Sequence, residues 1–398
     1  MGDWRFHTPD GVQDGLPDDC ARKRAIESAL RAVFAARGYL EVETPGLEFY
    51  DVYATGRGLA PQEALFKLFD SQGRILALRY DGTVPVARLA ATLMKDEEPP
   101  LRISYVGGMY RSAGAGGGKQ SEFTQAGVEL MGPRTAEADA EVIATAIAAA
   151  RAAGVESLQV AVGQVEFFKA LLEEWGLSEE DAEPLPGLID AKETLALEEI
   201  ADRTGLPAAA REALLLMASF EGTFDTLDRM EALTRSPRAL AALRNLRDVL
   251  RLLEEDGLLR YVSVDLGMLQ SLDYYTGIIF KGFTYGIGFP VLSGGRYDNV
   301  VAEFGRALPS TGFSLGVNLV MAALRRQGSV PPKAGPDTLV GYDPSVRARA
   351  MAFVAQERAG GRAVAVDVQR RSAPELRAEG ARRGVARVLY MDAEGTVR

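Results

Sequence analysis

Two residue types that commonly carry enzymatic chemistry are almost missing from this 398-residue chain, which has one His (His7) and one Cys (Cys20). That count argues against Ser–His or Cys–His nucleophilic catalysis, a disulfide framework, or a zinc site built on several thiolates. His7 and Cys20 are themselves expected to be incidental. The chemistry must therefore run on carboxylates, arginines, tyrosines and backbone groups. Such groups gather in four separated segments. The first is Leu78-Arg79-Tyr80-Asp81-Gly82-Thr83. The second runs from Arg102 to Glu129 and holds Tyr110-Arg111 and Phe123-Thr124-Gln125-Ala126-Gly127-Val128-Glu129. The third is Leu272-Asp273-Tyr274-Tyr275-Thr276-Gly277, and the fourth Ser293-Gly294-Gly295-Arg296-Tyr297-Asp298. Taken singly, Arg79, Asp81 and Arg111 read equally well as structural ion pairs. The glycine-rich loop 114–118 lacks the Lys-Ser/Thr helix start of a phosphate cradle and reads as a flexible loop.

The elements that must position these groups follow from periodicity and punctuation. An amphipathic helix is predicted over 18–37, with apolar Ala21, Ile26, Leu30, Val33 and Phe34 and Gly38 past its end. A strand follows over 39–43. Strands 63–69 and 74–79 flank a turn at Ser71-Gln72-Gly73. A helix is predicted over 84–95, then strands 102–111 and 123–131 around the glycine-rich loop. Thr135 opens a helix with Glu137 and Asp139 early in it, closed by Gly154. A strand at 157–162 precedes a stretch from about 164 to 257 that is almost wholly helical. Strands return at 261–265, 276–285 and 289–292, and 312–324 reads as a buried helix. Tyr274 and Tyr275, taken as adjacent strand positions, should face opposite sides. Near-neighbour pairing without βαβ alternation implies an α+β body, with an antiparallel sheet flanked by helices and a helical insertion.

Composition bounds the rest. With 47% hydrophobic and 25% charged residues and a net charge of −10, the chain is ordinary globular material with a sizeable core. At this length two or three domains are expected. Residues 327–336 read as a linker between a body (1–326) and a small α/β domain (337–398). Residues 333–398 hold twelve Lys and Arg against eight Asp and Glu, a balance of +4 that leaves −14 on the remainder. That acidic body is a poor nucleic-acid surface. No apolar run approaches a membrane span and no signal pattern is seen, so a soluble cytoplasmic protein is expected.

The four segments, in order and at their separations, resemble the catalytic domain of histidyl-tRNA synthetases over roughly residues 5–325. That resemblance implies a class II synthetase-like antiparallel sheet, self-dimers formed through the Gly38–Pro45 stretch, and a pocket for histidine. It implies that Asp81, Thr83 and Gln125 take the ammonium and that Glu129 with Tyr274 or Tyr275 takes the imidazole N–H groups. Each is a chemical complement to a free amino acid. Arg296 is expected to be structural.

Departures from the synthetase pattern carry the next step. Gln270 stands where synthetases have an Arg, Arg111-Ser112-Ala113 where the second motif reads Arg-x-Glu, and Gly316-Val317-Asn318-Leu319 where the third reads Gly-Leu-Glu-Arg. Only Lys119 remains basic in the loop. Each lost electrostatic clamp typically lowers rate by about 10²–10³, so ATP chemistry is not expected. A body that keeps the histidine pocket and drops the ATP clamps resembles the regulatory subunits of ATP phosphoribosyltransferase. The resemblance implies a non-catalytic, allosteric subunit of histidine biosynthesis, with no cofactor and no metal. It would partner a short-form catalytic subunit in a hetero-oligomer, with histidine as feedback inhibitor. Arg111, freed from nucleotide, is expected to take the ligand carboxylate. The alternative is a divergent histidyl-tRNA synthetase. The tail resembles a shortened anticodon-binding domain, but tRNA is not expected as a partner.

Overall fold

The computed structural model describes residues 4–54, 59–112, 120–219, 222–269, 274–329 and 334–398. The chain divides into two compact units, one of residues 1–14 and 23–330 and one of residues 15–22 and 331–398. The expected linker falls partly on residues 330–333, outside the described residues.

Helix α1 (Pro17–Ala36), which belongs to the first unit from Lys23 onward, leads to the short strands β1 (Leu40–Glu41) and β2 (Leu47–Phe49) and to helix α2 (Asp51–Ala54). Strands β3 (Lys67–Phe69) and β4 (Ile75–Leu78) precede α3 (Thr83–Thr92), β5 (Leu101–Tyr110), β6 (Glu122–Met131), α4 (Ala136–Ala152) and β7 (Leu158–Gln164). The insertion comprises α5 (Val165–Trp175), α6 (Glu179–Ala182), α7 (Leu185–Asp190), α8 (Thr194–Thr204), α9 (Ala208–Met217), α10 (Phe224–Leu233) and α11 (Pro237–Glu255). The body then closes with β8 (Val262–Val264), β9 (Ile278–Thr284), β10 (Leu292–Arg296), β11 (Ser310–Gly316) and α12 (Val317–Arg326).

Eight strands form the main sheet in the order β1-β5-β6-β11-β10-β9-β7-β8. Its six central strands pair antiparallel, as expected, whereas both edge pairs, β1 with β5 and β7 with β8, are parallel. The alternation of β6 divides the sheet's two faces. Ala126, Val128 and Leu130 enter the main core with Leu30 and Phe34 of α1, Val142 and Ile143 of α4, and Leu243, Leu246 and Leu250 of α11. Gln125, Gly127 and Glu129 therefore point to the other face. Register puts Gly312 opposite Glu129 and Ser314 opposite Gly127 on β11, with Ser293 opposite Ser314 on β10. Thr135 caps α4 through its hydroxyl, which accepts the Ala138 N–H at 3.4 Å.

Three local expectations are corrected. Residues 312–324 are a strand running into a helix. Thr311, Phe313 and Leu315 alternate with small residues, and Gly312 must lie in the sheet because a Cβ there would stand 1.8 Å from Glu129 Oε2. The strand expected at 289–292 instead spans Leu292–Arg296, where the glycines permit pairing on both sides. The strand expected at 63–69 is strand only from Lys67, because Pro61 opens a 3₁₀ turn over Gln62–Ala64.

Among the described residues of the second unit, β12 (Thr338–Tyr342), α13 (Arg347–Ala359), β13 (Val364–Val366), α14 (Ala373–Arg383) and β14 (Arg387–Met391) form a parallel three-stranded sheet, β13-β12-β14, with two helices. No helix of the described residues is long and apolar enough to cross a membrane.

Candidate functional site

On the face of the sheet away from the main core lies a cavity of about 940 Å³. Asp81, Thr83, Arg111, Gln125, Tyr274 and Tyr275 all line it, so six of the seven expected site residues converge from three of the four segments. Glu129 does not line the cavity. It lies one layer deeper, fully buried, and the Tyr297 hydroxyl, which does line the cavity, donates a hydrogen bond to its Oε2. Gln270, Leu272, Asp273 and the loop 113–119 lie outside the described residues.

The Arg79–Thr83 segment is anchored before it presents a functional group. Arg79 is structural: its guanidinium donates to the Thr44 carbonyl at 2.7 Å and to the Gly108 carbonyl at 2.9 Å. The Tyr80 N–H donates to the hydroxyl of fully buried Tyr53 at 3.1 Å. Asp81 then accepts the Val84 N–H at 3.0 Å in the first turn of α3. Burial raises its carboxyl above the ordinary range, while that N–H and the charge of Arg111 pull it back down. Arg111 is held by its neighbours rather than by a carboxylate. Its Nε donates to the Tyr80 carbonyl at 3.2 Å, and its guanidinium lies 4.4 Å from the Tyr80 ring centroid and 5.0 Å from that of Phe123. Arg79 and Arg111 are thus held by backbone carbonyls, with aromatic faces added for Arg111, while the Arg111 charge still acts on Asp81.

On the floor, Gln125 Nε2 donates to Ser314 Oγ at 3.4 Å, leaving its buried Oε1 without a protein partner. Beneath it the buried Glu129 carboxyl, the Tyr105 hydroxyl and Thr83 act on one another. Burial, reinforced by the charge of Asp81, pushes the Glu129 carboxyl up to about 8 against the pull of Tyr297 and Thr83. Gln125 Oε1, on a cavity-lining residue, is an acceptor suited to an N–H group.

Tyr274 and Tyr275 precede β9 rather than occupy it, so strand alternation does not separate them and both face the cavity. Their rings meet edge to face at 4.9 Å, and Tyr274 also packs on Tyr297 at 5.6 Å. Arg296 is structural, as expected. It pairs with buried Asp139 at 2.9 Å and donates to the Pro133 carbonyl at 3.0 Å. The position of the ATP-clamping Arg in the third synthetase motif, and its neighbour, are used for folding here. Leu319 packs against the main core, and Asn318 Oδ1 accepts the Thr124 N–H at 2.8 Å.

Sequence reasoning missed several lining residues. Tyr297 sat in a quoted motif without an assigned role. Ser293 stood in the same motif, also without a role, and Ser314 follows only from register. Pro186, Gly187 and Asp190 come from the insertion, where no motif marks them.

Comparison with known proteins bears on this geometry. A family model described as histidyl-tRNA synthetase matches residues 11–320. An ATP phosphoribosyltransferase regulatory subunit from Acetivibrio thermocellus is 50% identical over 389 residues, covering 98% of this chain and 93% of the relative. The chain belongs to the ATP phosphoribosyltransferase regulatory subunit family. Another member, from Symbiobacterium thermophilum, is 42% identical and covers 97% of this chain and 96% of its own. A Bacillus halodurans structure titled as an ATP phosphoribosyltransferase regulatory subunit/histidyl-tRNA synthetase matches with a TM-score of 0.87 at 32% identity, covering 97% of this chain and 98% of that one. Histidyl-tRNA synthetase from Nostoc matches with a TM-score of 0.85 at 20% identity, over 98% and 92% of the two chains, which establishes the class II synthetase-like fold alone.

Proposed function

We propose that this regulatory-subunit family member senses histidine and transmits the signal to a short-form ATP phosphoribosyltransferase catalytic subunit. It has no catalysis of its own in this reading. Histidine occupies the cavity, its ammonium at Asp81, Thr83 and Gln125, its carboxylate at Arg111, and its ring toward Glu129 and the Tyr274–Tyr275 pair. The observation that carries the reading is the convergence of Asp81, Thr83, Arg111 and Gln125, the last with an unpartnered Oε1, on one cavity, together with Leu319 packed against the core where the synthetase pattern has its ATP-clamping Arg. Without such clamps, adenylate formation would lose about 10²–10³ in rate at each position.

The chain self-associates and joins the catalytic subunit in a cytoplasmic hetero-oligomer, with no resident cofactor or metal. Ligand binding biases two assembly states, on the usual allosteric scale of about 1–3 kcal/mol. The histidine arm is tested by co-purifying this chain with a short-form catalytic chain and titrating histidine against phosphoribosyl transfer. Saturable inhibition that disappears in Asp81→Asn supports the reading, and activity indifferent to histidine overturns it. Histidine-dependent pyrophosphate exchange by the isolated chain would instead establish a synthetase.

A further inference from the structure

Helix α7 of the insertion packs by one side and turns the other toward the cavity. Leu185 and Ile189, one turn apart, are fully buried in the main core. A Cβ on Gly267, in the loop after β8, would come within 3.2 Å of the Ile189 side chain, so the helix is seated tightly on the body. Pro186, Gly187 and Asp190 share the other side at helical spacing and line the cavity. Two features of that side are unfavourable for a helix. Gly187 stands in the helix interior, where glycine is disfavoured relative to alanine, yet a Cβ there would meet nothing within 4 Å. No protein neighbour accounts for its missing side chain. Asp190 ends the helix, where the macrodipole disfavours negative charge.

A protein cation stands beside this side of the helix. Asp190 and Asp265 both act electrostatically on Lys281 of β9, which is in register with the cavity-lining Ser293. At about 940 Å³, the cavity is at the upper end of the range for small-molecule sites.

We propose that α7 is a wall of the ligand site, with Gly187 kept bare to leave room for the ligand and Asp190 facing an N–H group of its side chain. The insertion thereby makes the site selective for an amino acid that carries extra positive or N–H character. This rests on the reading of the cavity as an amino-acid site. Gly187 contributes by absence, and Asp190 is a specificity-determining residue whose carboxylate reaches the cavity from outside the synthetase-like motifs.

Calorimetry of the full chain with histidine, paired with thermal melts, tests the proposal. Gly187→Leu is expected to keep the melting temperature or raise it, because leucine favours helix and no neighbour is displaced. It should weaken binding roughly tenfold or more by filling the site. Gly187→Ala should produce a smaller loss and covers the case of a misfolded leucine variant. Asp190→Asn should weaken binding by about two- to fivefold, because the carboxylate is solvent-exposed. That loss should shrink in high salt and be recovered in Asp190→Glu. Wild-type affinity in the Gly187 variants overturns the wall. An Asp190→Asn variant that loses melting temperature and keeps affinity overturns the specificity role in favour of a structural pair with Lys281. Failure of the wild-type chain to bind histidine overturns the amino-acid reading itself, and is thereby distinguished from failure of the α7 proposal alone.

Discussion

Replacing Glu129 by Gln should change how stability depends on pH. The Glu129 side chain is fully buried, no cation is among the groups acting on it, and Asp81 adds a like charge. Its carboxyl is pushed up to about 8, against an ordinary value of 4.5. Between those values the folded chain keeps a proton that the unfolded chain has released, so the unfolded state binds fewer protons. Stability from this group is therefore fully present below the unfolded value and is lost as pH rises through the folded one. The slope is about −1.4 kcal/mol per pH unit within the window. Glutamine keeps the shape and the hydrogen-bonding capacity but does not titrate. The test is urea unfolding of both proteins from about pH 5 to about pH 8, followed by tryptophan fluorescence. Both tryptophans, Trp4 and Trp175, belong to the first unit, so the signal reports the unit that holds Glu129. The wild-type stability should fall relative to Glu129→Gln by a few kcal/mol across the window. Parallel curves would refute the reasoning and imply that an ionised Glu129 is accommodated.

Two further substitutions separate ligand binding from folding. Arg111→Ala should weaken histidine binding by about 1.5–3 kcal/mol, the range for charged hydrogen bonds, with little change in melting, and unchanged affinity by calorimetry would exclude Arg111 as the carboxylate partner. Arg296→Met should destabilise by about 3–5 kcal/mol, because it leaves Asp139 at 1% exposure without its partner; a denaturant midpoint within error of wild type would contradict the structural assignment.

Much of the architecture was legible because its signals were local. The helix opened by Thr135, the alternation of Gln125, Gly127 and Glu129, and the strand–helix rhythm of the tail are each set by neighbouring residues. What misled were segments whose meaning depends on distant partners. Gly312 looks like a helix opener until Glu129, far away in sequence, is seen to occupy the space of its missing Cβ. Tyr274 and Tyr275 looked separated by strand alternation, but they lie in the approach to β9, where alternation does not operate. Within the site, Asp81, Thr83, Arg111, Gln125, Tyr274 and Tyr275 were found because motifs mark them. Glu129 was expected at the ligand and lies a layer behind Tyr297. Asp190 and Gly187 carry no local signal, since only the packing of Leu185 and Ile189 turns their side of α7 toward the cavity.

The central claim is that the chain reads free histidine in this cavity. Isothermal titration of the isolated chain with histidine tests it most directly. The account predicts saturable binding at one site per chain, strongly weakened in Asp81→Asn and absent for a neutral amino acid such as leucine. No binding heat at millimolar histidine, or equal binding by the Asp81 variant, would contradict it.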